Sequence, residues 1–360
     1  MKKKKKIVFV LPEITAGGAE RVMTFLAQNL SKEYFDVSLW AAGFEKNTIY
    51  NVDGVNVKYF NKPRVLKATP GFFFALIKNK PDIVISSISH LNTVMGLLSI
   101  FFPKTKFVGR EANVLSIKKQ FGGKKKSFIS KIPFSKIGYK LLDIILCQSK
   151  DMFNDMKTNY NIPTSKMRII NNPITDAFTL KSQNAKKDDI VKFITVARLK
   201  KQKGHERIIK VISKLNFPYQ YTIIGDGPEK ERLFALIEEL GIKKNIKHIP
   251  YTKEVPKYLA ESDFFLQGAY VEGFPNCLIE SCSVGTPVLA YKAPGGLDEI
   301  LELEVNGLIA DNDDEFLRNI IKSKTEIEWD PKKINHSVTK KFNKKVILQK
   351  YEELFLELAS

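Results

Sequence analysis

Glu272 and Glu280 stand eight positions apart in the stretch 270–299. A Gly273-Phe274-Pro275-Asn276 loop follows the first carboxylate. The second sits inside an apolar run that ends at Gly285, and a strand over Pro287–Tyr291 then opens into Gly295-Gly296. The order is therefore loop, helix, strand and glycine loop, with polar groups gathered at one end. The free amides at the start of such a helix favour an anion. A carboxylate one turn in accepts hydrogen bonds from vicinal hydroxyls, such as those of a ribose. The bland alternative is a helix cap and a solvated glutamate, and on spacing alone the two readings compete.

The neighbouring residues decide between them. The Gly-Phe-Pro-Asn insert, Ser-Cys-Ser-Val-Gly-Thr-Pro-Val entering the strand and Gly-Gly-Leu-Asp-Glu leaving it occur in order. Together they resemble the Glu-x7-Glu signature of the retaining nucleotide-sugar glycosyltransferases of family 4. The resemblance implies that Glu280 holds the ribose hydroxyls. Glu272, with the amides of Gly273–Asn276 (Gly273, Phe274 and Asn276 among them), would then hold the transferred sugar.

Four further segments fit the same pattern. Gly17-Gly18-Ala19-Glu20-Arg21 follows the first strand, and paired glycines let backbone approach a ligand closely. In the family this loop faces the donor phosphates and the acceptor; its alternative is a plain tight turn. Val196-Ala197-Arg198-Leu199 precedes Lys203-Gly204. The resemblance places Arg198 and Lys203 on the donor pyrophosphate. Fixed cations there stabilise the charge that grows as a nucleoside diphosphate departs. A basic surface loop containing Lys200 and Lys201 is the alternative. Gly225-Asp226-Gly227-Pro228 resembles the turn that packs beneath the nucleotide, so Gly225 joins the donor site. Tyr251, after Ile249-Pro250, is a candidate to stack on the base, with packing as its other role.

Acid–base residues in the first half are less defined. Many family members carry a His after the fourth or fifth strand. A related subgroup reads Ser-Glu-His where this chain has Arg110-Glu111-Ala112, so Ala112 stands where that His would be. His90, Glu111 and Asn113 are the candidates on the acceptor or sugar side. Retaining front-face transfer can instead use the leaving phosphate as its base. No Asp-x-Asp motif follows a strand, and the polar run Asp311-Asn312-Asp313-Asp314 reads as a helix cap. No metal and no cofactor are expected; the nucleotide-sugar, a UDP-sugar in the first instance, is a substrate.

The elements that must position these residues follow a strand–helix rhythm. Strands are expected at Ile7–Leu11, Val37–Trp40, Val55–Phe60, Ile83–Ser86, Phe107–Gly109 and Ile144–Gln148. A second set is expected at Lys192–Val196, Tyr221–Ile224, Ile246–His248, Phe264–Leu266 and Pro287–Tyr291. Alternation of this kind gives parallel sheets with helices on both faces. It restarts near residue 190, after Asn171-Asn172-Pro173 and the polar stretch Lys181–Asp189. A chain of 360 residues suits two domains. The resemblance implies the GT-B architecture: two Rossmann-like α/β domains facing across a cleft, with the last helix crossing back onto the first. Residues 1–172 form the first, acceptor-binding domain, with 344–360 packed back on it. Residues 173–343 form the second, nucleotide-sugar-binding domain.

Composition narrows the remaining classes. Apolar content is 44%, ordinary for a soluble protein. Cys147, Cys277 and Cys282 show no metal spacing and no even disulfide framework, which suits a reducing compartment. Ile7–Leu11 reads as a first strand and not a signal peptide. Val94–Pro103 is too short to span a bilayer. Through Asn172 there are 29 basic against 11 acidic residues, a net +18, and beyond it 29 against 28, a net +1. A field of one sign on one half points to an anionic partner. Lys118–Lys140 interleaves lysines with Phe121, Phe128 and Phe134, a composition that suits an anionic membrane surface, with a solvated basic loop as the alternative. No nucleic-acid-binding module is recognisable.

The reading that follows is a retaining, metal-independent transferase. It moves a sugar from a nucleotide-sugar to a polyprenyl-phosphate-linked or polysaccharide acceptor in bacterial polysaccharide biosynthesis. Its expected place is cytoplasmic, peripheral on the inner face of the membrane. Two other classes compete: a different GT-B chemistry such as a nucleotide-sugar epimerase, and a non-enzymatic basic protein that binds membrane or nucleic acid.

Overall fold

The computed structural model describes residues 3–15, 17–118, 134–182 and 189–360. Within these the chain parts into two compact units. One runs to Ser116, resumes through Pro173 and is completed by Lys345–Ser360; the other is Ile174–Lys344.

The first unit holds a seven-stranded parallel sheet in the order β3-β2-β1-β4-β5-β6-β7. Its strands are β1 (Lys5–Leu11), β2 (Phe35–Ala41), β3 (Asn56–Tyr59), β4 (Ile83–Ser87), β5 (Lys106–Arg110), β6 (Ile144–Cys147) and β7 (Met167–Ile169). The helices are α1 (Gly18–Asn29), α2 (Val65–Asn79), α3 (Ser89–Ser99), α4 (Leu115–Lys118), α5 (Phe134–Leu141) and α6 (Lys150–Tyr160). The central strands are apolar without alternation because both sheet faces are covered. Ile83, Val84 and Ile85 are consecutive and fully buried.

The second unit holds a six-stranded parallel sheet in the order β10-β9-β8-β11-β12-β13. Its strands are β8 (Val191–Val196), β9 (Tyr219–Ile224), β10 (Ile246–Ile249), β11 (Phe264–Gln267), β12 (Val288–Tyr291) and β13 (Gly307–Ala310). Around them lie α7 (His205–Ile212), α8 (Lys230–Glu239), α9 (Val255–Ala260), α10 (Asn276–Ser283), α11 (Leu297–Ile300), α12 (Asp313–Thr325) and α13 (Pro331–Phe342).

The last helix, α14 (Lys344–Ala359), returns to the first sheet. Ile347, Tyr351, Leu354 and Phe355 are buried in that core. The Phe355 ring meets Phe9 and Phe35 edge-on, with centroids 6.4 and 6.2 Å away. Burying each large apolar side chain is worth roughly 1.5–3 kcal/mol. The helix is therefore an integral part of the first core.

Two strands lie outside the sequence expectation, β7 and β13. Both are edge strands, of 3 and 4 residues. β7 carries an arginine at its centre, while β13 is apolar and largely buried but opens with glycine, a residue that weakens a strand. The polar run at Asp311–Asp314 does cap a helix: the Asn312 side chain accepts from the Glu315 amide at 3.0 Å at the start of α12.

Candidate functional site

In the second sheet the chain moves outward from β8 through β9 to β10. It then returns to the other side of β8 for β11, β12 and β13. The order reverses between β8 and β11, and a crevice opens outside the carboxyl ends of two such strands. The loop after β8 is Ala197–Gly204, which carries Arg198 and Lys203. The loop after β11 runs from Gly268 to Pro275 and carries Glu272. The topology thus brings together residues some 70 positions apart in sequence.

Glycine backbone locks the two loops against each other. Gly204 has φ +60°, and a Cβ there would lie 1.7 Å from the Gly268 carbonyl oxygen. The Tyr270 amide donates to the Gln202 carbonyl at 2.9 Å, and Gln202 Nε2 returns a bond to the Val271 carbonyl at 2.9 Å. Arg207 completes the lock. Its Nε donates to the Gly268 carbonyl at 2.8 Å and its terminal nitrogen to that of Ala269 at 2.5 Å. The guanidinium also lies over the Tyr270 and Tyr291 rings, 4.2 and 3.9 Å from their centroids. Hydrogen bonds of this charged type contribute about 1.5–3 kcal/mol, and each such ring contact about 0.5–2 kcal/mol.

At the centre of this frame Lys203 Nζ sits 2.5 and 2.7 Å from the two carboxylate oxygens of Glu272. Gln267 Nε2 donates to the same carboxylate at 3.3 Å. The side chains retain 24% and 12% of their exposure. Burial lowers the Lys203 pKa, but the Glu272 carboxylate more than offsets this and the net shift is upward, so the ammonium stays charged. The Glu272 backbone is fixed from the other side. Its amide donates to the Pro294 carbonyl at 2.9 Å. Gly295, at φ +123°, would place a Cβ 2.4 Å from the Glu272 carbonyl oxygen. The glycine loop after β12 therefore exists to admit the Glu272 backbone.

The third wall comes from β9. The Ala197 amide donates to the Ile224 carbonyl at 3.0 Å, and the Gly225 amide to that of Ile249 at 2.9 Å. A Cβ on Gly225, at φ +144°, would lie 2.1 Å from the Ala197 carbonyl oxygen. Gly225 thus supports the Arg198 loop from beneath. Arg198 itself is exposed, as are Lys200 and Lys201. Tyr251, just past β10, is also exposed.

Glu280 lies in α10, whose first residue is Asn276, and is only 5% exposed. Phe274 is buried, with its ring edge-on to Phe342 at 5.3 Å. What position 274 offers a ligand is therefore backbone.

In the first unit the strand order reverses between β1 and β4. The segment after β1 carries Gly17 and Gly18, and the Tyr50 hydroxyl donates to the Gly17 carbonyl at 3.1 Å. Gly17 has φ −140°, a conformation open to any residue. His90 lies in the first turn of α3, directly after β4 and exposed. Before it stands Ile88 at φ +80°, a costly conformation for a β-branched residue. Glu111 follows β5 and is deeply buried. Its carboxylate accepts from the Tyr139 hydroxyl and, at 2.8 Å, from the Ala112 amide. Burial first, and then the Glu111 charge, raise the Tyr139 pKa well above its ordinary value. Asn113 is half-buried beside it. Of the segment Lys118–Lys140, residues 119–133 lie outside the described residues. Lys136, Ile137 and Lys140 of α5 are exposed.

Arg207, Gln267, Gly268 and Tyr291 build the site but carry no local sequence signal, because their partners are distant in sequence. His205 is another such residue. It is 1% exposed, with the backbone of Ala197 and Arg198 facing its ring. Burial is the main cause of a pKa lowered to about 4, with the Lys203 charge adding to it. The ring is therefore neutral beneath the basic loop. Among the described residues no three His, Cys, Asp or Glu side chains gather as a metal-binding set. No helix there is long and apolar enough to cross a membrane.

The sequence profile of the glycosyl transferases group 1 matches residues 176–334, the unit that holds this crevice, and that of Glycosyltransferase Family 4 matches residues 16–178. The chain belongs to glycosyltransferase family 4. A Campylobacter jejuni enzyme is 28% identical over 327 residues, spanning 86% of this chain and 87% of its own. Its name is N-acetylgalactosamine-N,N'-diacetylbacillosaminyl-diphospho-undecaprenol 4-alpha-N-acetylgalactosaminyltransferase. The Escherichia coli O-antigen biosynthesis glycosyltransferase WclY is 30% identical over 140 residues, 37% of this chain and 39% of that one. Anabaena HepE, solved in complex with UDP-glucose, superposes with a TM-score of 0.81 at 16% identity, covering 98% of this chain and 99% of HepE. That likeness gives the fold, which is GT-B. The glycosyltransferase takes its place among homologues that build bacterial surface polysaccharides.

Proposed function

We propose that this glycosyltransferase takes a sugar from a UDP-sugar, with retention of configuration and without a metal, and passes it to a lipid-linked glycan in bacterial polysaccharide biosynthesis. The observation that carries the reading is the buried Lys203–Glu272 pair at the β8/β11 reversal, with exposed Arg198 beside it and the start of α10 next to it. In this reading Arg198 and Lys203 receive the diphosphate. The negative charge that accumulates as the sugar–phosphate bond breaks meets cations already in place, so little reorganisation is needed at that moment. They take the part a divalent ion plays elsewhere. Glu280 accepts from the ribose hydroxyls. Glu272, held by Lys203 and Gln267, aligns the sugar together with the backbone of Gly273, Phe274 and Asn276. Gly225 keeps the floor close to the phosphates, and Tyr251 lies beside the base.

In the first unit, Gly17 and Gly18 offer amides at the start of α1, and His90 and Asn113 stand on the acceptor side. Glu111 takes part through its bond to Tyr139. The departing phosphate serves as the base for the acceptor hydroxyl. The lipid-linked acceptor is supported by the Campylobacter relative, whose name specifies an undecaprenol diphosphate. UDP is supported by the HepE complex. The test is a screen of nucleotide-sugars for nucleoside diphosphate release, with and without polyprenyl-diphosphate-linked saccharides and in the presence of EDTA. The anomeric configuration of the product is then read by NMR. Lipid-dependent release from a UDP-sugar, an α-linked product from an α-donor and indifference to EDTA are expected. An inverted product, or release abolished by EDTA, overturns the corresponding part.

A further inference from the structure

Helix α2 is apolar on two sides. Val65, Ala68, Phe72, Ala75 and Leu76 are buried in the first unit. Leu66, Phe74 and Ile77 point outward at 75%, 68% and 47% exposure. Together with the half-buried Phe73 they recur at the three- and four-residue spacing of one helix face. The turn after α3 adds Ile100 and Phe101, exposed by 60% and 64%. Phe73 joins the two segments, with its ring 5.7 Å from Phe74, 5.7 Å from Phe101 and 5.5 Å from Phe102. The result is an aromatic cluster shared by the two segments, with exposed aliphatic residues on both. Large contiguous apolar patches on a protein surface mark a partner.

The charges around it select that partner. Between Gly54 and Arg110 the chain carries nine basic residues and one acidic, Asp82. Lys67, Lys78, Lys80 and Lys104 are exposed beside the patch. Exposed phenylalanines flanked in sequence by exposed lysines match the boundary between acyl chains and anionic headgroups. A second copy of this chain would set lysines against lysines. A nucleic acid would satisfy the lysines and leave the phenylalanines in water.

We propose that the α2 face and the Ile100–Phe102 turn dock this protein on an anionic lipid bilayer. The proposal deepens the lipid-linked acceptor reading and rests on it for its purpose. It adds a second basic and apolar surface to the one expected at Lys118–Lys140. Phe74 and Phe101 enter the headgroup–acyl boundary, while the four lysines meet lipid phosphates.

The test is co-sedimentation of the full chain with vesicles of phosphatidylglycerol mixed into phosphatidylcholine, and with phosphatidylcholine alone. Wild type binds the first far better than the second, and salt weakens the binding. Phe74→Ser with Phe101→Ser lowers affinity for the anionic vesicles about tenfold or more. Lys67→Glu with Lys78→Glu and Lys104→Glu removes the preference for anionic lipid. All five positions are exposed, so the folded state is kept, as an unchanged circular dichroism spectrum and UDP titration will show. Vesicle binding that survives both sets of substitutions overturns the proposal. So does self-association, seen by analytical ultracentrifugation without lipid, that the phenylalanine substitutions abolish. Failure of the donor reading is separate: it appears as wild-type protein that binds vesicles but no UDP.

Discussion

Lys203→Met removes the ammonium from a carboxylate that keeps 12% of its exposure. Glu272 is then left with the single long bond from Gln267 at 3.3 Å. Breaking a buried ion pair from one side costs about 3–5 kcal/mol. Lys203 retains 24% of its exposure, so water reaches part of the pair and about 3 kcal/mol is the expected loss. Glu272→Gln costs less, about 1–2 kcal/mol, because the lysine stem can swing its charge toward solvent. In the double variant neither charge is stranded. The combined loss should fall short of the sum by about 2 kcal/mol, as contacting residues do in such cycles. Urea unfolding of the four proteins measures this coupling. Turnover should behave differently. Each single variant should be slowed strongly, and the double variant should stay slow, because the pyrophosphate has lost its cation and the sugar its carboxylate. Nucleoside diphosphate release measures this arm. A double variant that recovers both stability and turnover would show the pair to be scaffold only. Additive unfolding energies would refute the interaction itself.

Other consequences are as direct. Arg198→Ala should lower turnover far more than Lys200→Ala or Lys201→Ala in the same release assay; equal effects would reduce the loop to a basic surface. His205 has a folded-state pKa of about 4 against an ordinary 6.5, so the unfolded chain binds more protons between these values and stability falls as pH drops through that window. By pH 5 this amounts to about 2 kcal/mol relative to neutral pH, and His205→Leu should shrink the wild-type loss between pH 7 and 5 by about that much in urea titrations. An unchanged loss would place the titrating group elsewhere.

The architecture was legible because central strands of parallel sheets are written as continuous apolar runs, as at Ile7–Leu11 and Ile83–Ser86. β7 and β13 were not: an arginine interrupts the first, and the second is a four-residue strand that opens with glycine. The candidate site's charged residues, Arg198, Lys203, Glu272 and Glu280, were picked out by their phase, and the structure pairs two of them, Lys203 and Glu272. Its framework was not. Nothing near Arg207 in sequence announces that it will lie between Tyr270 and Tyr291, and nothing near Gly204 announces Gly268. Those contacts exist only once β8, β11 and β12 are neighbours. Phe274 enters the expected site through its amide alone, and its large apolar ring packs against Phe342, a partner that sequence spacing could not reveal. Glu111, a candidate on the acceptor side, is buried and accepts from the Tyr139 hydroxyl, a partner 28 positions away that sequence spacing could not reveal either.

The central claim is that the crevice between β8 and β11 holds a nucleoside diphosphate, with Glu280 on the ribose. Calorimetric titration of UDP into wild-type and Glu280→Ala protein tests it most directly. Loss of a hydrogen-bonding charged partner costs roughly 1.5–3 kcal/mol, so the variant should bind UDP roughly tenfold to a hundredfold more weakly than wild type. Equal affinity in the two proteins, or no binding of UDP by wild type, would contradict the account.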